Sequence, residues 1–138
     1  GAVEPLVEQL RTGDVAGKTQ AAGAFWALAF NAYNQISIAR TGAVEPLVQL
    51  LRTGDAAGRT QAAGALRNLA VNADHRIAIA RAGAVEPLVE LLRTGDSEGK
   101  TQAAGVLWNL ADNADNRIAI ARAGAVEPGS GGVLGTCF

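Results

Sequence analysis

Much that would point to chemistry is missing from these 138 residues. There is one cysteine, Cys137, so no internal disulfide can form. There is one histidine, His75, and its counterparts in the repeats described below are Asn34 and Asn116, which suits a solvated surface position. Neither a Ser/His/Asp set nor a cluster with metal-ligand spacing can be assembled. No run of 18 apolar residues exists, which leaves no helical membrane span. The formal net charge is −1, with no basic excess to draw the chain to nucleic acid and no acidic block. Prolines number 4 and aromatics make up 4%, and no period-two strand pattern appears. The chain opens at Gly1 without a signal-peptide pattern, as a processed or recombinant fragment would. The expectation is a non-enzyme with no cofactor or metal and no nucleic-acid or membrane partner. A single cysteine fits an intracellular setting, cytoplasmic or nuclear, if the protein is natural.

What is present favours helix. Hydrophobic residues make up 49% of the chain, alanine and leucine dominate, and the length suits one domain. The chain is also repetitive. GAVEPLV begins at Gly1, Gly42 and Gly83, and GAVEP begins again at Gly124; the spacings 42−1, 83−42 and 124−83 are all 41. Residues 1–41, 42–82 and 83–123 are three copies, 124–128 opens a fourth, and 129–138, starting GSGG, is expected to be a flexible tail. Copies two and three are nearly identical, whereas copy one departs mainly between Phe25 and Thr41.

Copy two shows the internal plan. Val44, Leu47, Val48, Leu50 and Leu51 fall on one side of a helix, with Pro46 in its first turn. Gly54 is expected to end it in the left-handed conformation, and Asp55 to cap a long helix over 56–71. Ala62, Ala63, Gly64 and Ala65 thin that helix for close packing. A short helix follows over 72–83, capped by Asn72 or Asp74, anchored by Ile77 and Ile79 and ended by Gly83. The corner string, GDVAGKT at 13–19, is close to a phosphate-binding loop. It has one residue too few between its glycines, it follows a helix rather than a strand, and copy two carries Arg59 at the lysine position. It therefore reads as a helix–helix corner.

A period near 40 made of three helices resembles the armadillo repeat. IARAGAVEPLVELL (79–92) resembles the family's short-helix-to-second-helix segment, and AAGALRNLA (62–70) and AAGVLWNLA (103–111) resemble its long-helix signature. A two-helix HEAT-type repeat of similar period is the rival. The resemblance covers 1–128 and implies an all-α, right-handed α-solenoid: an armadillo-type superhelix of three-helix repeats whose long helices line the concave side.

That framing implies a groove read from Gln20, Trp26 and Phe30 in copy one. In copy two the stripe is Gln61, Arg67, Asn68 and Val71, and in copy three Gln102, Trp108, Asn109 and Asp112. In the family the long-helix asparagine holds the backbone of an extended peptide, a role that matches Asn68 and Asn109 but not Ala27. Bonding of these asparagines to neighbouring helix backbone is the alternative. Importin-alpha-type members carry a tryptophan one turn earlier, where this chain has Gly23, Gly64 and Gly105, so recognition of a basic import signal does not carry over. The expected function is non-catalytic binding of an extended peptide or protein segment. The alternative is a self-assembling repeat block, natural or engineered, that forms a homodimer through uncapped ends. Phe25, Trp26, Phe30 and Tyr33 are its candidate contacts.

Overall fold

The computed structural model describes residues 1–124, and among them nine α-helices form three triplets. These are α1 (Val3–Thr12), α2 (Val15–Leu28) and α3 (Ala32–Arg40); α4 (Val44–Thr53), α5 (Ala56–Leu69) and α6 (Ala73–Arg81); and α7 (Val85–Thr94), α8 (Ser97–Leu110) and α9 (Ala114–Arg122). The start of the fourth copy beyond Gly124, the 129–138 tail and Cys137 lie outside the described residues.

Each triplet is built by the same local chemistry. The Asp14, Asp55 and Asp96 side chains accept from the N–H groups of Gly17, Gly58 and Gly99 at 2.8, 2.8 and 2.9 Å. That satisfies one of the free donors at each long-helix start. Asn31, Asn72 and Asn113 do the same for the short helices, so Asn72 rather than Asp74 is the cap. Gly42, Gly83 and Gly124 take φ of 81, 84 and 91° and turn the chain into the next triplet.

Carbonyls at the long-helix C-termini also gain side-chain donors: those of Leu28, Leu69 and Leu110, which already accept from the N–H groups of Asn31, Asn72 and Asn113, and those of Ala29, Ala70 and Ala111. Asn34 Nδ2 donates to Leu28 O at 3.1 Å, and Asn116 Nδ2 to Leu110 O at 2.9 Å. His75 stands in the same place, its Nδ1 3.2 Å from Leu69 O. One residue further on, Gln35, Arg76 and Arg117 reach the oxygens of Ala29, Ala70 and Ala111. His75 is therefore not a solvated surface residue. It is 8% exposed, because the first turn of α6 folds back over the end of α5, where a polar group is needed.

The long helices pack in a row, α2 on α5 on α8, while α1, α4 and α7 form a second row that packs beside it. This is the predicted all-α solenoid of three-helix repeats. Between the rows lies one apolar core in which Phe25, Leu47, Leu66, Leu69, Leu88 and Leu110 are fully buried. Val44, Leu47, Val48, Leu50 and Leu51 are all buried, as their spacing requires.

Two details differ from the sequence reading. Gly54 is extended (φ −74°, ψ 164°), not left-handed; a Cβ there would lie 2.7 Å from Leu50 O, so close approach, not a positive φ, requires glycine. Ile79 is buried but Ile77 is exposed, because a nine-residue helix lying on the core inserts only one of two isoleucines spaced by two.

Candidate functional site

The three long helices share one pattern along their row. A large side chain from one triplet lies on a glycine of the next. A Cβ added to Gly64 would fall 2.4 Å from Trp26 Cδ2, and one added to Gly105 would fall 2.5 Å from Arg67 Nε. The same happens at the corner string. Thr19 Oγ1 would stand 3.0 Å from a Cβ on Gly58, and Thr60 Oγ1 3.0 Å from one on Gly99. The second glycine and the threonine of GDxxGKT are thus packing partners across adjacent triplets, which accounts for the string without a phosphate.

Trp26 is half-buried against Gly64 for this reason. Trp108 holds the equivalent position in α8, where no described long helix follows, and is 83% exposed. Arg67 is exposed but rests its stem on Gly105, and donates through Nη1 to Gln102 Oε1 at 3.3 Å.

The two asparagines tie the row together. Asn68 Nδ2 donates to the Trp26 carbonyl oxygen at 3.0 Å, and Asn109 Nδ2 to the Arg67 carbonyl oxygen at 3.2 Å. Both acceptors lie in the last turn of the preceding long helix, where intrahelical donors run out. Bonding to neighbouring helix backbone is therefore present at both positions. Each amide also carries a second N–H and a carbonyl oxygen, the groups a peptide unit would pair with.

The remaining stripe residues divide. Gln20, Phe30, Val71 and Asp112 are exposed. The Asp112 carboxylate stands 3.6 Å from Arg76 Nη2 with its side chain 75% exposed. Gln61 is partly covered and reaches over Gly23. Gln102 is buried, held between Arg67 and Glu98, so it supports the surface rather than presenting itself there.

The self-association set divides as well. Phe25 has no exposed surface: its ring is a core residue, inserted where Leu66 and Leu107 stand in the other copies, and it is unavailable to a partner. Trp26 is engaged with Gly64. Phe30 and Tyr33 are 74% and 78% exposed.

One end feature escaped the sequence reading. Gln9 occupies the position of the buried Leu50 and Leu91, and its amide lies over Gly17, where an internal repeat receives a neighbour's threonine. A polar residue at a periodic apolar position was the available signal.

No described helix is long and apolar enough to cross a membrane, and no group of three or more His, Cys, Asp or Glu able to hold a metal occurs among the described residues.

Known proteins resemble this arrangement. A family model, the Armadillo/beta-catenin-like repeat, matches residues 31–71 and 72–112. A crystal structure of an engineered protein is similar at 38% identity and TM-score 0.84, covering 92% of this chain and 53% of that one. A designed armadillo repeat protein is similar at 30% identity and TM-score 0.83, covering 91% and 54%. Another, solved in complex with peptide (KR)4, is similar at 29% identity and TM-score 0.83, covering 91% and 54%. The chain spans about half the length of these three structures. No curated protein matches it.

Proposed function

The chain belongs to the armadillo-repeat family, and from that premise we propose that it is a non-catalytic module that binds an extended peptide along the α2–α5–α8 row. One observation carries the reading. Asn68 and Asn109 stand at equivalent points of successive long helices, each beside a large exposed side chain, Arg67 or Trp108. An asparagine amide offers a donor and an acceptor, as a neighbouring strand would. Long helices pack ~8–10 Å apart, and two extended residues span ~6.6 Å. On the concave side that membership of this family implies, the two lengths approach each other, giving about two peptide residues per repeat. The designed relative that holds a (KR)4 peptide supports the ligand class.

Ordering an extended peptide over two asparagine rungs consumes much of the contact energy, so affinity is about micromolar or weaker. The test is selection from a random peptide library with the wild-type chain and with an Asn68→Ala/Asn109→Ala variant, both checked for helical folding by circular dichroism. Peptides retained by the wild type and lost by the variant support the reading. A folded wild type that retains no peptide removes it.

The second reading, assembly through the ends, has its own observation. Trp108 is exposed on the last described long helix, and Gly23 on the first, with Gln61 reaching over part of it, is the counterpart of Gly64 and Gly105, which receive Trp26 and Arg67. Insertion of Trp108 over Gly23 of a second copy is a head-to-tail contact, which propagates instead of closing. Sedimentation decides it: species of two or more times 14.1 kDa that dissolve on Trp108→Ala support assembly, and a monomer at high concentration removes it.

A further inference from the structure

We propose that the groove reads a charge order: an acidic side chain opposite Arg67 and a basic side chain over Trp108, in that sequence, with an apolar side chain over Phe30. The inference rests on the peptide-binding reading and adds the kind of peptide. Positions 26, 67 and 108 are equivalent, and so are 30, 71 and 112, yet their chemistry changes at each step. The first pair is wholly apolar, the half-buried Trp26 packed on Gly64 and the exposed Phe30. The second is Arg67 with Val71, both exposed. The third is Trp108 with Asp112, again both exposed.

Arg67 is held in place rather than free-swinging. Its stem lies on Gly105 and its Nη1 donates to Gln102, while the rest of its planar fork can meet a carboxylate. Trp108 offers an uncovered indole face, the best aromatic surface for a cation. Asp112, one turn further along the same helix, adds a carboxylate beside it. That carboxylate meets Arg76 at 3.6 Å; Arg76 is 20% exposed, but the Asp112 side chain is 75% exposed and makes this one long contact, which leaves its outer face open to a second cation. The same spacing of about two residues per repeat puts the three side chains at alternate peptide positions, which all point to one side of an extended strand.

The occupant is therefore an extended segment with the pattern apolar–x–acid–x–base along the groove, in whichever chain direction it lies. A uniformly basic peptide places one of its charges against Arg67. It fits this chain less well than the designed relative bound to (KR)4.

The experiment uses fluorescein-labelled peptides read by anisotropy with the full 138-residue chain. Leu-Thr-Glu-Thr-Lys and its reversal Lys-Thr-Glu-Thr-Leu cover the two directions. Leu-Thr-Lys-Thr-Glu and its reversal carry the same composition with the charges exchanged. One of the first pair is expected to bind about tenfold more tightly than either of the second pair, from two partly exposed charge contacts. The preference is expected to reverse in an Arg67→Glu/Asp112→Lys variant. Asp112→Lys alone lies at an exposed position, so it folds even if the double variant does not. It is expected to lower affinity for the first pair only. Equal binding of both pairs overturns the charge order while leaving peptide binding standing. Absence of binding by every peptide overturns both.

Discussion

At the residue scale, glycine does the work of spacing. Gly64 is not needed for helix formation; by propensity alone Gly64→Ala would gain about 1 kcal/mol. The Trp26 ring occupies the place of the new methyl, and a fused ring cannot step aside by a small rotation. The substitution is expected to cost about 1–2 kcal/mol in urea unfolding, and to become stabilising when Trp26→Ala is already present. Additive effects in that double-mutant cycle would contradict the contact. His75 supplies a second prediction. Because Asn34 and Asn116 hold the same carbonyl site, His75→Asn is expected to leave stability within about 0.5 kcal/mol. His75→Ala removes the side-chain partner of Leu69 O, which keeps the Asn72 N–H, and is expected to cost about 0.5–1.5 kcal/mol. Thermal unfolding of the two variants measures the difference. The sequence offered this equivalence in plain view, since 34, 75 and 116 share one phase. It was misread because asparagine and histidine at an exposed-looking helix start do not reveal which carbonyl they fold back onto.

At the element scale, helix identity and order were legible and helix contacts were not. The Asp caps, the apolar side of α4 and the corner nature of GDVAGKT follow from spacing and local chemistry. The conformation of Gly54 did not, because a glycine after a helix has two uses, a positive φ or a close approach, and only the backbone distinguishes them. Ile77 and Ile79 look alike in sequence, and which one meets the core depends on how α6 is rotated. The triplet junction yields a further prediction. Gly83 has φ 84° and its oxygen accepts from Arg52 Nη2 at 2.8 Å, joining α4 to the turn before α7. Gly83→Ala is expected to cost about 1–2 kcal/mol from left-handed strain, whereas Gly1→Ala, with open space around it, is expected to be silent. Comparison of the two denaturation midpoints checks this.

At the scale of the whole molecule, the described triplets form a short one-dimensional stack in which each packs mainly on its neighbours. Which residues share the outer stripe of the long helices was legible; which of them stay exposed was not. Periodicity identifies which residues share a stripe, so Arg67, Asn68, Trp108, Asn109 and Asp112 fall together. It does not say which of them are spent on packing. Trp26 goes to Gly64, Gln102 is buried, and Phe25 belongs wholly to the core. What survives at the surface is a line of unlike side chains on three like helices, and the account rests on that line being read by a peptide. The most direct measurement is a nitrogen–proton NMR titration of the labelled chain with the tightest peptide from the library selection. The account predicts shifts that saturate together and map to α5 and α8, including the Asn68 and Asn109 side-chain amides and the Trp108 indole. Shifts confined to the α1–α4–α7 row, with those amides and that indole unmoved, would contradict it.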